Sequence, residues 1–158
     1  VLSDKKHFNS SDFRRFHPGG SIGQRLSMEV RDIMLTGDDV PRVGREVTVE
    51  ATIVEMDRLG LGVTLIVRDD ETLAGILTDG DLRRLILRRK SFMTMKVEAV
   101  MTPNPRTMGP DSPAYDALNL MERYQITVLP ITGLAGRVEG ILHLHDILGK
   151  GAFKFNGS

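Results

Sequence analysis

A seven-residue stretch returns in altered form in this chain and limits what the chain can fold into. Gly75-Ile76-Leu77-Thr78-Asp79-Gly80-Asp81 returns as Gly140-Ile141-Leu142-His143-Leu144-His145-Asp146. The offset is 140 − 75 = 65 residues, and the aspartates keep it, 146 − 81 = 65. Met56 and Met121, Leu61 and Ile126, and Val63 and Val128 are also 65 apart. Upstream, Val30-Arg31-Asp32-Ile33-Met34 matches Val97-Glu98-Ala99-Val100-Met101 at 97 − 30 = 67. The change of offset places an indel, and hence a loop, between Met34 and Met56. Self-similarity at a fixed period marks a duplicated structural unit, here two modules of roughly 60 residues from Val30 to Gly149. A module that small buries a modest share of its surface, so the two are expected to pack on each other.

Periodicity supplies the elements of each module. In the first, Val30–Met34 reads as a helical turn and Gly37-Asp38-Asp39 as a turn. Val49, Ile53, Met56 and Gly60 fall at helical spacing. Val63–Val67 and Leu73–Leu77 read as neighbouring strands joined by a polar loop. Leu82, Leu85 and Ile86 give the next helix a buried stripe. In the second, Met101-Thr102-Pro103-Asn104-Pro105 reads as a bend and Arg106–Met108 as a short strand. Ser112 is expected to cap a helix with Pro113 at its first position. Ala114, Ala117, Leu118 and Met121 form its apolar face. Ile126–Leu129 and Val138–Leu142 read as strands, and Ile147 and Leu148 as a short last helix ended by Gly149 and Gly151. Each module is thus β-α-β-β-α, an α/β fold whose two halves are expected to pack as a pseudo-two-fold pair. The expected divisions are a tail and linker over 1–28, modules over 29–90 and 91–150, and a tail over 151–158. The segment before the first module contains Pro18-Gly19-Gly20 and reads as linker or loop through Leu26.

Composition narrows the function. Hydrophobic residues make up 41% of the 158, enough for a core. Lys+Arg and Asp+Glu balance at 21 each, and aromatics are 5%, which argues against a nucleic-acid or anionic-membrane partner. No window approaches the ~20 apolar residues of a membrane-spanning helix, and no signal-peptide pattern opens the chain. With no cysteine, disulfides and thiolate metal sites are excluded, and a cytoplasmic location is expected. The chain begins with Val1, so it is expected to be a piece of a longer protein whose function lies partly elsewhere.

Thr78-Asp79-Gly80-Asp81 is placed at a strand-to-helix turn. The helix N-terminus offers free N–H groups to a phosphate. Thr78 can donate a hydroxyl, Asp81 can accept two ribose hydroxyls, and Gly80 allows close approach or a positive φ. The same Thr-x-x-Asp spacing is also a helix capping box, and spacing alone favours the cap. In the second module His143 replaces Thr78, His145 replaces Gly80, and Asp146 is kept. An imidazole is not expected to serve as the same small cap, so the two turns are expected to differ. His143 and His145 are two apart and would share a face of a strand. Two histidines and an aspartate on a turn are expected to be hydrogen-bonded structure, or to sense phosphate or pH, and no metal is expected. Arg83, Arg84, Arg88, Arg89 and Lys90 form a basic run, either a solvated face or an anion clamp beside Thr78 carried by Arg83 or Arg84. Gly19-Gly20-Ser21-Ile22-Gly23 lacks both the spacing and the lysine of a phosphate loop.

The duplicated module, entered by Val97-Glu98-Ala99-Val100-Met101-Thr102-Pro103 and left by Gly-Ile-Leu-Thr-Asp-Gly-Asp, resembles a tandem pair of cystathionine-β-synthase-type (CBS) domains. The resemblance implies adenosine-containing or other nucleotide ligands and a regulatory role for an attached protein. A narrower resemblance is carried by Phe16-His17-Pro18-Gly19-Gly20-Ser21-Ile22-Gly23-Gln24-Arg25-Leu26, Asp32-Ile33-Met34-Leu35-Thr36-Gly37, Gly75–Leu82 and Gly140–Asp146. These look like the C-terminal half of D-arabinose 5-phosphate isomerases of the capsule and lipopolysaccharide type, in which a sugar-isomerase (SIS) domain precedes the CBS pair. They interconvert ribulose 5-phosphate and arabinose 5-phosphate on the route to Kdo. The resemblance implies that the SIS domain is missing here and that this fragment is catalytically silent. His17 is the one residue it connects with proton transfer.

The expectation is therefore a regulatory, effector-binding CBS pair of such an isomerase. Its candidate ligand residues are Thr78, Asp81, Arg84, His143 and Asp146. No cofactor is required. The candidate effectors are an AMP- or ATP-type nucleotide or CMP-Kdo, and the partners are the SIS domain and a second copy in a homodimer or larger homo-oligomer. Two alternatives stay open: an adenine-nucleotide sensor attached to another protein, and a ligand-free oligomerisation module.

Overall fold

The computed structural model describes residues 21–88 and 91–149. The chain forms two compact units. One consists of Leu35–Thr107 and Pro130–Ile141; the other draws on the described parts of Val1–Met34, Met108–Leu129 and Leu142–Ser158.

The first of these units is built on a four-stranded sheet in the order β1-β2-β3-β4. Its strands are β1 (Arg42–Gly44), β2 (Val63–Val67), β3 (Leu73–Thr78) and β4 (Thr102–Pro103). β1 runs parallel to β2, the connection being helix α3 (Val49–Leu59), whereas β2 and β3 form the expected antiparallel hairpin. All five residues of β2 are buried, which suits its Val-Thr-Leu-Ile-Val composition as a central strand. Thr48 caps α3 by accepting from the Ala51 N–H, and Gly60 ends it at φ 66, a left-handed conformation that glycine adopts at least cost. The N–H groups of Val49 and Glu50, which have no partner within the helix, donate to the carbonyls of Met95 and Met93. Val49 and Met56 are buried with Ile66, Ala74, Leu77 and Val97, and Ile53 packs against them. Full burial of each such aliphatic side chain contributes about 1.5–3 kcal/mol. The buried hydroxyls of Thr52 and Thr64 are satisfied by the carbonyls of Thr48 and Thr52.

β4 departs from the sequence expectation. The strand expected at Arg106–Met108 lies instead at Thr102–Pro103, where a bend was expected, and Met108 makes only an isolated bridge. β4 pairs with β3, Gly75 opposite Pro103 and Ile76 opposite Thr102. A Cβ on Gly75 would lie 2.7 Å from both the Met101 Sδ and the Thr102 carbonyl oxygen, so glycine is what lets β4 approach. A strand from the second repeat thereby completes the sheet of the first, and Leu35 from the first bridges to Ile141 of the second. Helix α4 (Asp79–Leu87) follows β3; Leu85 is buried and Leu82 packs on the core, but Ile86, expected in the buried stripe, is 62% exposed. α4 rests on the core by a single narrow row.

The other unit is helical, with α1 (Ile22–Leu26), α2 (Val30–Ile33), α5 (Ala114–Tyr124) and α6 (Leu144–Leu148). α1 lies where linker or loop was expected; Ser21 starts it by accepting from the Gln24 N–H. The expected Ser112 cap of α5 is absent. Pro113 stands at the cap, the Ala114 N–H donates to the Met28 carbonyl, and the Ser112 carbonyl accepts from Val30. Backbone pairing with the segment before α2 thus replaces the side-chain cap. Ala114, Ala117 and Met121 are buried as their spacing predicts. Gln125 takes a left-handed conformation and the Ile126 N–H returns to the Met121 carbonyl, closing the helix in a Schellman motif. That use of Ile126 is why the next strand, β5 (Val128–Thr132), begins later than Ile126. β5 pairs with β6 (Val138–His143) in a two-stranded sheet. Among the described residues no helix is long and apolar enough to cross a membrane.

Candidate functional site

The first repeated turn joins β3 to α4. Thr78 Oγ1 accepts from the Asp81 N–H at 3.1 Å, and Asp81 Oδ2 accepts from the Thr78 N–H at 2.9 Å. This is a closed capping box, the reading that spacing alone favoured. Asp81 is 8% exposed, and its other oxygen is also engaged. Oδ1 accepts from Arg84 at 2.6 Å and from the Thr102 hydroxyl of β4 at 3.1 Å. The Asp79 N–H donates to the Gly62 carbonyl at 3.1 Å, tying the turn to the entry of β2. Gly80 has no positive φ, contrary to one sequence reading; it is the second residue of α4, with the Arg84 guanidinium and the Thr78 hydroxyl lying over it.

The second turn joins β6 to α6 and repeats this wiring. The Asp146 Oδ2 accepts from the His143 N–H at 2.7 Å, and the Leu144 N–H donates to the Thr127 carbonyl at 2.8 Å. As expected, histidine does not supply the same small hydroxyl cap; it caps through a ring nitrogen instead. The Nδ1 of His143 accepts from the His145 N–H at 3.1 Å and closes the box. An imidazole Nδ1 bearing no proton is an acceptor much as a hydroxyl oxygen is, which places the ring proton on Nε2. His143 is 8% exposed, and its ring centroid lies 4.0 Å from that of His145. The two rings share a side although His145 belongs to α6 and not to a strand. Behind the turn, Arg25 Nε of α1 donates to the Ile147 carbonyl at 2.8 Å, capping the end of α6.

Thr78, Asp81 and Arg84 are therefore brought together, and His143 and Asp146 are brought together. Arg83 on α4 and Arg88 just after it are exposed, while Arg89, Lys90 and His17 lie outside the described residues. Among the described residues there is no group of three or more His, Cys, Asp or Glu that could hold a metal ion. Sequence reasoning missed Thr102, whose hydroxyl reaches Asp81 across 21 residues of chain with no periodic signal to announce it.

Known proteins are similar to this chain. The CBS domain model matches residues 30–88 and 97–152. Arabinose 5-phosphate isomerase KdsD of Salmonella typhi is 38% identical over 151 residues, covering 96% of this chain and 46% of the relative. The chain thus spans about half the length of the curated relatives it matches. Among solved structures, CBSX2 in complex with AMP superposes with a TM-score of 0.67 at 22% identity, covering 81% of this chain and 98% of that one. The CBS domain pair of MJ0100, in complex with 5′-methylthioadenosine and S-adenosyl-L-methionine, gives 0.68 at 23%, covering 82% and 97%. The chain belongs to the CBS-domain family and carries two of its modules in tandem.

Proposed function

We propose that this chain is the effector-sensing part of an arabinose 5-phosphate isomerase, a regulatory CBS pair attached to a sugar-isomerase domain. The observation that carries the reading is the 38% identity to KdsD across 96% of this chain, with the match confined to 46% of the relative. In this reading the interconversion of ribulose 5-phosphate and arabinose 5-phosphate, and any role of His17 in it, belongs to the whole enzyme. The chain alone is inactive, works in the cytoplasm and assembles as a homo-oligomer, its modules spanning 29–90 and 91–150.

The effector is a nucleotide or nucleotide sugar held at the first turn. Asp81 takes the ribose hydroxyls, Thr78 and the N-terminus of the nine-residue α4 face the phosphate, and Arg84 supplies the cation. His143 and Asp146 offer a second subsite through their side chains only, since the five-residue α6 is too short to present a helix-terminal anion site. The AMP and S-adenosyl-L-methionine complexes named above support an adenosine ligand; CMP-Kdo is the candidate that the proposed pathway adds.

A thermal-shift screen with AMP, ADP, ATP, CMP, CTP and CMP-Kdo tests this. At a ligand concentration of 100 times Kd, one site adds about 2.7 kcal/mol of stability, a readily measured shift. A shift with one base class that Asp81→Ala abolishes supports the sensor. One observation favours a second reading: Asp81 already accepts from three protein donors, as a purely structural cap would. No shift with any of the six, together with a dimer in sedimentation, would favour that assembly module.

A further inference from the structure

Arg84 lies where a ligand of the first turn would have to come. Its Nη2 donates to Asp81 Oδ1 at 2.6 Å, and a Cβ built on Gly80 would be 3.5 and 3.6 Å from its two terminal nitrogens and 3.7 Å from Thr78 Oγ1. The guanidinium, the Thr78 hydroxyl and the backbone of Gly80 thus share one side of the turn. The donors to Asp81 also differ in kind. One is the Thr78 N–H, which closes the helix; another is the Thr102 hydroxyl on the paired strand β4. Arg84, on a long side chain, can leave without opening the fold. Its side chain is 58% exposed, against 10% for Asp81, so the guanidinium moves into water at little cost.

We propose that Arg84 is an internal competitor that sets ligand selectivity, resting on the reading of Asp81 as the ribose acceptor. In the ligand-free chain the guanidinium occupies the carboxylate oxygen that a ribose diol needs. A ligand binds by displacing it. A nucleoside loses that ion pair and gains nothing in return. A nucleotide offers its phosphate to the released guanidinium, a charge-assisted contact that arginine makes with a paired fork of donors. The turn therefore prefers phosphorylated ligands in two steps, by exclusion and then by re-engagement.

Calorimetric titration of the 158-residue chain and of Arg84→Met with adenosine, AMP, cytidine, CMP and the matching 2′,3′-dideoxynucleosides tests this. Methionine is a strong helix former on an exposed face, so the variant keeps the fold, which its melting curve verifies. The variant is expected to bind the responding nucleoside about 1.4- to 2.3-fold tighter, the scale of one exposed ion pair within a helix removed. The preference for nucleotide over nucleoside is expected to shrink, and the dideoxynucleoside is expected to show no gain. Equal or weaker nucleoside binding by Arg84→Met, with binding itself intact, overturns the competitor and leaves the site. No binding of any probe by either protein overturns the site and the competitor together.

Discussion

The turns after β3 and after β6 share a backbone and differ in the side chain that closes it. In both, an aspartate accepts from the N–H of the residue three before it, Thr78 at 2.9 Å and His143 at 2.7 Å. In both, the next N–H is anchored to a carbonyl at the same repeat position, Gly62 for Asp79 and Thr127 for Leu144, and 127 − 62 = 65. The other arm of the box comes from a hydroxyl in one and from an imidazole in the other. The duplication has thus retained the route of the chain and the aspartate, while the acceptor that stops the strand and starts the helix has changed chemical type. What a capping position requires is an acceptor within reach of the first free N–H groups, and the size of the group that carries it is set by the space around it.

That difference is broken most directly by removing each cap. His143→Ala deletes a buried ring and the acceptor it carries, and is expected to cost about 2–4 kcal/mol. Thr78→Ala removes a hydroxyl from a half-buried position and is expected to cost about 1 kcal/mol. Urea unfolding of both variants measures the pair. Equal losses would mean that the ring contributes nothing beyond its nitrogen. His143→Thr sharpens the result: it restores a hydroxyl cap without the ring, so whatever it fails to recover belongs to packing.

The next effect falls on the support that β4 gives the first turn. Gly75→Ala places a methyl group 2.7 Å from the Thr102 carbonyl oxygen, a backbone atom that cannot swing aside. Overpacking of this kind is expected to cost about 1–3 kcal/mol. It should also displace the Thr102 hydroxyl from Asp81, so Gly75→Ala combined with Thr102→Val should cost less than the sum of the two. Thr102→Val alone, which removes one donor at nearly constant shape, is expected to cost about 0.5–1.5 kcal/mol. Strict additivity in the double variant would show that β4 and Asp81 are independent.

The elements legible in the sequence are those whose own residues determine them. α3 and α5 follow from apolar spacing, β2 from a β-branched run and β3 from a short apolar run between turn residues. The first box was legible as Thr-x-x-Asp, because a cap is a contact across three residues; in the second only the kept aspartate was. What was not legible depends on partners distant in the chain. β4 contains proline and reads as a bend until Gly75 supplies a place to pair. Ser112 looks like a cap until the Met28 carbonyl takes the Ala114 N–H. Ile86 looks buried until α4 settles on Leu82 and Leu85. At His143 the sequence announces only that the small hydroxyl is gone; that a ring nitrogen takes its place depends on acceptor geometry.

The smallest expected effect on stability is the most informative about the first turn. The Arg84–Asp81 ion pair joins residues three apart on one helix, with the arginine 58% exposed. Pairs of that kind contribute about 0.2–0.5 kcal/mol, less at high salt. Arg84→Met should therefore leave the urea midpoint nearly unchanged, well short of Thr102→Val, although both variants remove a donor from the same carboxylate oxygen. The ordering follows from tethering: the threonine hydroxyl is held on a strand paired with β3, whereas the long arginine side chain can exchange Asp81 for water. A loss of more than about 1 kcal/mol would instead make Arg84 a structural part of the cap, since exposed pairs rarely exceed that value. An arginine that the fold does not need, held against a carboxylate that the fold does need, is free to answer to something else.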